Sequence, residues 1–229
     1  MVLQENTRAT FALDWAELWE EFGGFYVERV SGPRTATAED FEDELLFCLL
    51  GGHGVTFELA QSAVAILKRL DVFDSRWSTM ELEMLLSSEL VMPQFSPPRR
   101  DGSLRRYRYP RRKASLIARA AAWVASRSPL RETVLALDED EARRDFLCEC
   151  PGIGLKTASW LLRNLGLGSS LAVVDIHLLR ALMAANRISK AVLPRDYRQV
   201  EQRFLAWCKE LKAPPAAFDL MLWEWQRAL

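Results

Sequence analysis

The chain has 229 residues, of which 49% are hydrophobic, and this is enough to bury one large core or two smaller ones. Charged residues make up 27% of the sequence and are balanced in sign, which excludes a disordered polyelectrolyte. The net charge of −1 argues against attachment to nucleic acid through the charge of the whole protein, so any such contact must come from a local basic patch.

The sequence carries no signal for secretion or membrane insertion. The N-terminus lacks a positively charged start followed by an apolar run, and no uninterrupted apolar stretch approaches roughly 18 residues. The spacing of the four cysteines (Cys48, Cys148, Cys150 and Cys208) suits neither a disulfide framework nor a zinc site. Reduced thiols in a cytoplasmic protein fit this pattern best.

The first third of the chain has the periodicity of amphipathic helices. An aromatic stripe over residues 14–22 is followed by Gly23-Gly24, which predicts a helix that ends at these glycines. Thr37-Ala38-Glu39-Asp40 and Ser78-Thr79-Met80-Glu81 have the pattern of capping boxes, in which a hydroxyl and a carboxylate satisfy the first main-chain amides of a helix. Each therefore predicts a helix start.

Residues 99–113 form a local basic segment, with seven arginines and one lysine against a single acid, Asp101. So many like charges on a near-neutral protein repel one another, which suggests a ligand that neutralises them. Arginine can grip phosphate oxygens, while Tyr107 and Tyr109 offer stacking or hydroxyl contacts. We expect this segment to contact nucleic acid. The candidate residues are Arg105, Arg106, Arg108, Arg111, Arg112 and Lys113.

Pro151-Gly152-Ile153-Gly154 predicts a tight turn between two helical patterns, residues 140–148 and 155–165. The two glycines permit positive φ and leave the amides of the turn open at a helix start. Such a turn can hold a phosphate. Gly152, Ile153 and Gly154 are therefore candidate nucleic-acid contacts.

Two charged residues after this turn are candidates for catalysis. Lys156 lies in the first turn of the second helix, where the positive end of the helix dipole disfavours an ammonium, so it is a candidate amine nucleophile. Asp175 follows an apolar run and precedes another helical pattern, which predicts that it caps that helix. Its carboxylate would then point away from the helix start.

In combination these motifs resemble the helix-hairpin-helix DNA glycosylases, whose signature is a hairpin, then a Gly/Pro-rich loop, then a catalytic Asp. Residues 151–158 match the hairpin and residues 174–177 match the aspartate segment. Lys156 falls on the lysine that is kept by members that also cleave the DNA backbone. The ending Phe218 to Trp223 resembles the Leu-Asp-Leu-x-x-Trp terminus of the small archaeal and bacterial 8-oxoguanine DNA glycosylases.

About ten helical patterns and no alternating strand segment favour an all-α protein. The resemblance implies two helical subdomains with an active-site cleft between them that holds Lys156 and Asp175. We expect a discontinuous subdomain from residues 1–50 and 170–229. Residues 51–169 would form the second subdomain, with the basic segment and the hairpin.

The implied function is that of a DNA glycosylase with AP lyase activity, with 8-oxoguanine as the default base. Lys156 would be the nucleophile and Asp175 the catalytic aspartate. Asp219 and Trp223 would belong to the base pocket. His53, in the junction Gly51-Gly52-His53-Gly54, is a further candidate for DNA contact.

The expected partner is double-stranded DNA with a flipped modified base, bound by a monomer in the cytoplasm, or at the nucleoid if the source is bacterial. We expect no cofactor and no metal. Some relatives carry an iron-sulfur cluster on four clustered cysteines near the C-terminus, and only Cys208 lies in that region here.

Two alternatives remain open. Gly51, Gly52 and Gly54 replace the Asn or Gln side chains that are common at this junction, and a C-terminal lysine usual in the small glycosylases does not follow Leu229. Both departures would suit another modified base, such as a modified phage base in genome defence. A binding protein without catalysis would instead use the hairpin for phosphate, Lys156 for the DNA backbone and Asp175 only as a cap.

Overall fold

The computed structural model describes residues 14–30, 37–52, 54–189, 191, 193 and 195–228. These residues form eleven α-helices and one short 3₁₀ helix, with a single isolated antiparallel bridge between Phe95 and Arg105. The all-α prediction is confirmed. None of the helices in these ranges combines the length and the hydropathy that crossing a membrane requires.

The chain divides into two compact units, Met1–Gly32 with Ser169–Leu229, and Pro33–Gly168. The helices of the discontinuous unit are α1 (Trp15–Val30), α9 (Ile176–Ala184), α10 (Tyr197–Leu211) and α11 (Pro215–Ala228). The helices of the continuous unit are α2 (Ala38–Leu50), α3 (Phe57–Leu67), α4 (Thr79–Val91), α5 (Pro110–Ala125), α6 (Leu130–Leu135), α7 (Asp140–Leu147) and α8 (Leu155–Asn164), with the 3₁₀ helix Lys68–Leu70 after α3.

Helix α2 belongs to the continuous unit, whereas the sequence analysis placed residues 1–50 with the discontinuous one. The reason is aromatic packing at its C-terminal half. The ring of Phe47 lies 5.3 Å from that of Phe57 and 5.2 Å from that of Trp160, both edge to face. These contacts hold α2 against α3 and α8, so the first boundary falls near residue 32 and not near residue 50.

Phe218 of α11 is the centre of the core of the discontinuous unit and is fully buried. Its ring stacks on Phe204 at 5.7 Å and meets the edges of Trp207 at 4.9 Å and Trp19 at 5.5 Å. Aromatic pairs at such distances add to the hydrophobic gain from burial. One side chain therefore joins α1, α10 and α11.

Both predicted capping boxes are present in the continuous unit. The Thr37 hydroxyl accepts from the Asp40 amide at 3.1 Å, and the Asp40 carboxylate accepts from the Thr37 amide at 2.8 Å. The same reciprocal pair joins Ser78 and Glu81, at 3.3 and 3.2 Å. These bonds satisfy amides that have no partner inside the helix, which fixes the starts of α2 and α4.

The four cysteines are free thiols, and Cys48, Cys150 and Cys208 are buried. Burial raises the pKa of Cys150 to about 12, and it raises the pKa of Cys48 and Cys208 as well. Near neutral pH these three side chains are therefore protonated and behave as small hydrophobic groups.

Helix α1 continues through Gly23 and Gly24 to Val30, so the prediction that it ends at these glycines is wrong. Gly23 is buried, and a Cβ atom on it would lie 2.8 Å from two carbons of the Trp19 indole. The glycine therefore gives Trp19 the room to pack on Phe218. Gly24 is exposed, and a Cβ atom there would meet nothing within 4 Å.

We predict opposite effects on stability for alanine at these two neighbouring positions. Gly23→Ala should lower the free energy of unfolding by about 1 to 3 kcal/mol, because the new methyl group displaces Trp19 from the core. Gly24→Ala should raise it by up to about 1 kcal/mol, because alanine has the higher helix propensity. Urea denaturation of both variants measures the difference, and equal effects at both positions would contradict this account of α1.

Candidate active site and nucleic-acid surface

The predicted hairpin between α7 and α8 is present. The Cys150 amide donates to the Leu147 carbonyl at 3.1 Å, and the Ile153 amide donates to the Cys150 carbonyl at 3.0 Å. Gly152 has φ +89°, and a Cβ atom on it would lie 3.3 Å from a methyl carbon of Leu49 and 3.3 Å from one of Leu116. Glycine is therefore required here both for the backbone conformation and for close packing.

The other two hairpin residues differ from what the sequence suggested. Gly154 has φ −114° and ψ 179°, so it is extended and does not need positive φ. It is the N-cap of α8 without a capping side chain, and its missing Cβ faces open space. The side chain of Ile153 is buried, so only its main chain is free to meet a ligand. The first amides of α8 are therefore left uncovered, which suits an anion.

Lys156 is the second residue of α8 and is exposed. One helical turn later, Trp160 packs against Phe47 and against Gly51, where a Cβ atom would lie 3.0 Å from the indole. The helix that carries the amine is thus fixed to α2, while the amine itself is left free in solvent.

Asp175 caps α9, as the sequence predicts. Its Oδ1 accepts from the amides of His177 at 2.8 Å and Leu178 at 3.0 Å. Its Oδ2 accepts no hydrogen bond from any residue that the structure describes. One oxygen therefore fixes the side chain and the other remains free to face a positive charge.

The backbone leading to Asp175 is held by polar side chains of α10 and α11. Glu201 accepts from the Ala172 amide at 3.3 Å, Asp219 accepts from the Val173 amide at 3.2 Å, and the Tyr197 hydroxyl accepts from the Val174 amide at 3.3 Å. The sequence analysis missed Glu201 and Tyr197. The available signal was an acidic residue on the apolar face of α10, where Glu201 is buried.

This network changes the interpretation of the base-pocket candidates. Asp219 is buried, and its bond to the Val173 amide makes it a support for the Asp175 segment. Trp223 is half-buried, and the guanidinium of Arg227 lies 4.5 Å from its ring centre. Of the two, Trp223 alone presents side-chain surface to solvent.

The basic segment has both exposed and anchored residues. Arg106, Arg111 and Arg112 are exposed. Arg105 is half-buried and donates from Nε to the Pro97 carbonyl at 2.7 Å, within the bridge to Phe95. The three exposed arginines thus face solvent, whereas Arg105 holds the loop together.

The two tyrosines, Arg108 and Lys113 have distinct environments. Tyr107 is buried and donates to the Leu50 carbonyl at 2.7 Å, so its predicted stacking role is wrong. Tyr109 is 47% exposed, and the exposed Arg108 guanidinium lies 4.8 Å from its ring centre. Lys113 is half-buried, and burial, with a smaller effect of Arg112, lowers its pKa to about 8. His53 lies outside the described residues.

In the ranges that the structure covers, no group of three or more His, Cys, Asp or Glu side chains is arranged to hold a metal ion. The described residues do offer an exposed amine, Lys156, a carboxylate with one engaged oxygen, Asp175, the open first amides of α8 and several exposed arginines.

Comparison with known proteins gives consistent matches. The model of the family described as 8-oxoguanine DNA glycosylase matches residues 28–213. An 8-oxoguanine DNA glycosylase/AP lyase of Fusobacterium nucleatum is 33% identical over 86 residues, 36% of this chain and 40% of the relative. The enzyme of the same name from Metallosphaera sedula is 32% identical over 118 residues, 51% of this chain and 57% of the relative. The matched segments thus span less than two thirds of these relatives.

A solved structure gives a likeness of fold over nearly the whole chain. The 8-oxoguanine glycosylase/lyase of Methanocaldococcus jannaschii, in complex with 15mer DNA containing 8-oxoguanine, superposes with a TM-score of 0.68. The match covers 95% of this chain and 99% of that chain, at 22% sequence identity. At this identity the likeness establishes the fold.

The two hairpin glycines should respond differently to alanine. Gly152→Ala should lower the free energy of unfolding by about 1 to 2 kcal/mol, since alanine is strained at positive φ and its methyl group presses on Leu49 and Leu116. Gly154→Ala should change it by less than about 0.5 kcal/mol, because its backbone is extended and the space around it is open. Chemical denaturation measures both, and a larger cost at Gly154 would contradict this geometry.

Proposed function

The chain belongs to the 8-oxoguanine DNA glycosylase family, and we propose that it excises 8-oxoguanine from double-stranded DNA and then cleaves the strand as an AP lyase. The names of its relatives support this activity and substrate. The target nucleotide must leave the duplex first, because its glycosidic bond is shielded within the base stack.

The proposal rests on the exposure of Lys156 and on the second carboxylate oxygen of Asp175, which has no partner among the described residues. Lys156 is an exposed residue on the uncapped first turn of α8. Asp175 uses one oxygen as a helix cap and keeps the other free of partners among the described residues. Capping alone does not explain why a nucleophile and a carboxylate occur together at the spacing of this family.

The proposed reaction gives each group one role. The neutral amine of Lys156 attacks C1′ of the sugar, and the C1′–N bond breaks as the base departs with the bonding electrons and takes a proton. The Asp175 carboxylate stabilises the positive charge that develops on the sugar. The nitrogen then loses one proton and forms a second bond to C1′, while the C1′–O4′ bond breaks with its electrons on O4′, which takes a proton. The ring is thereby opened, and a protonated Schiff base (an iminium) joins Lys156 and C1′.

Strand cleavage follows from this intermediate. The iminium at C1′ acidifies the C2′ hydrogens, so loss of one as a proton drives β-elimination. The C3′–O bond breaks and the 3′ phosphate leaves with its electrons. Hydrolysis of the Schiff base then regenerates the Lys156 amine.

The proposed DNA surface consists of the open amides of the hairpin and the exposed arginines Arg106, Arg111 and Arg112. Arginine side chains and helix N-termini both bind phosphate without reading the base sequence. This local patch reconciles DNA binding with a net charge of −1. We propose that the protein acts as a monomer in the cytoplasm, at the nucleoid if its source is bacterial.

Borohydride trapping tests the assignment of Lys156. With a duplex that contains 8-oxoguanine, the parent protein should form a covalent adduct, because reduction converts the Schiff base into a stable amine. Lys156→Gln should form none and should retain most of its DNA affinity. Lys209→Gln, on an exposed residue of α10, is the matched control and should trap like the parent.

The outcomes separate the rival functions. A full adduct yield in Lys156→Gln would remove Lys156 from the mechanism. An adduct that forms only with a duplex containing a different modified base would keep the mechanism and change the substrate. A parent protein that binds every duplex tightly but forms no adduct would favour the binding protein without catalysis.

Asp175→Asn should lower the excision rate at least about 100-fold, because the substitution removes the charge that stabilises the sugar cation. Asparagine is as good an N-cap as aspartate, so the free energy of unfolding should change by less than about 0.5 kcal/mol. Single-turnover excision and urea denaturation measure the two quantities. A normal rate combined with lower stability would limit Asp175 to the cap.

A further inference from the structure

The carbonyl groups at the end of α2 are covered by side chains from the basic segment. The Lys113 ammonium donates to the carbonyls of Leu49 and Gly51, both at 2.5 Å. The Tyr107 hydroxyl donates to the carbonyl between them, that of Leu50. Three successive carbonyl oxygens therefore accept from two residues that lie more than fifty positions later in the sequence.

The same arrangement extends along the glycine junction. Arg108 donates from Nη1 to the Gly54 carbonyl at 3.1 Å, and the Val55 amide donates to the Gly52 carbonyl at 3.0 Å. Every carbonyl oxygen that the structure describes between residues 49 and 54 thus accepts a hydrogen bond.

This pattern has an electrostatic effect on the surface. The C-terminal end of a helix has unpaired carbonyls and a partial negative charge, which repel phosphate. Here the donors of Lys113 and Tyr107 neutralise that end, and Arg108 covers the Gly54 carbonyl beyond it. Gly52 and Gly54 are exposed, and their amides find no acceptor among the residues that the structure describes. The described residues of the junction therefore offer a ligand hydrogen-bond donors, and none of their carbonyls is left as a free acceptor.

Two of the described glycines of the junction have backbone conformations that other residues rarely adopt. Gly52 and Gly54 have φ of +121° and +73°, so both need the freedom of glycine. Gly51 is pressed against Trp160, which lies on α8 one turn after Lys156. The Lys113 ammonium lies close to the junction, since a Cβ atom on Gly52 would be 3.8 Å from the Lys113 Nζ.

We propose that Lys113 positions the Gly51–Gly54 junction for contact with the DNA backbone and makes no contact with DNA itself. The proposal rests on the proposed function in taking duplex DNA as the ligand. It removes Lys113 from the phosphate-binding cations that the sequence suggested, because all its described bonds point to the carbonyls of α2 and its junction. Its neighbour Arg112, which is exposed, keeps that role.

The salt dependence of DNA binding separates the two roles. Lys113→Met removes the ammonium and keeps an aliphatic stem of similar length, and it should weaken binding to undamaged duplex about tenfold at every salt concentration. The slope of log affinity against log salt should stay that of the parent, because no phosphate contact is lost. The matched variant Arg112→Met should reduce the magnitude of that slope by about 0.9.

Two further readouts exclude general damage to the fold. Lys113→Arg restores donors at this position and should recover most of the affinity. The far-UV circular dichroism of Lys113→Met should match that of the parent, since none of the helices is formed by the ammonium itself. If Lys113→Met does not fold, Tyr107→Phe, which loses only the hydroxyl on the Leu50 carbonyl, takes its place in the same titration with the same expected result.

Several results would overturn the proposal. A slope reduced by about 0.9 in Lys113→Met would make Lys113 a phosphate ligand, and an unchanged affinity would leave the junction without a positioning residue. A parent protein that binds DNA but does not excise 8-oxoguanine would refute the proposed function and leave the comparison of Lys113 with Arg112 intact. A parent that binds no duplex would refute both.

Discussion

Every α-helix leaves four amides unpaired at its start and four carbonyls unpaired at its end, and a protein made only of helices must satisfy or use these groups at each terminus. The residues to which we assign a function lie at such termini. Asp175 satisfies the amides of α9 with one oxygen. Lys156 lies on the first turn of α8, where glycine leaves the amides open. Lys113 and Tyr107 satisfy the carbonyls at the end of α2.

The position of these termini depends on packing that is remote in sequence. The extended segment before Asp175 has three successive amides bound by side chains of α10 and α11, which themselves pack around Phe218. Within the continuous unit, the start of α8 is held by α2, since Gly152 packs on Leu49. In each case a buried contact fixes a helix end, and the helix end presents the side chain that we propose to be reactive.

The features that the sequence predicted correctly are local. The capping boxes at Thr37 and Ser78 and the cap at Asp175 each involve hydrogen bonds that span at most three residues, so a short motif contains both partners. The contacts that the sequence did not predict involve distant partners. Tyr107 and Lys113 looked like members of a phosphate-binding patch, but their acceptors lie 57 and 64 residues away.

Gly23-Gly24 is a second case in which a residue distant in the sequence determines the local structure. A pair of glycines is typical of a helix end, but here one of them makes space for an indole that packs on a side chain almost two hundred positions later. The family and the all-α fold were accessible from motifs and periodicity. The support of the Asp175 segment by Glu201 and Asp219 could not be predicted from the sequence, because pairing a buried carboxylate with a distant amide requires the tertiary structure.

The burial of Cys48, Cys150 and Cys208 has a consequence for the conditions under which such a protein would work. The base named by its family is a product of oxidation, so the demand for excision is greatest when oxidants are abundant. Thiolates react with these oxidants far faster than thiols do. Because burial keeps these three sulfurs protonated and out of contact with solvent, they resist conversion to sulfenic acid. The fold thereby protects three of its four thiols from the agents that create the proposed substrate.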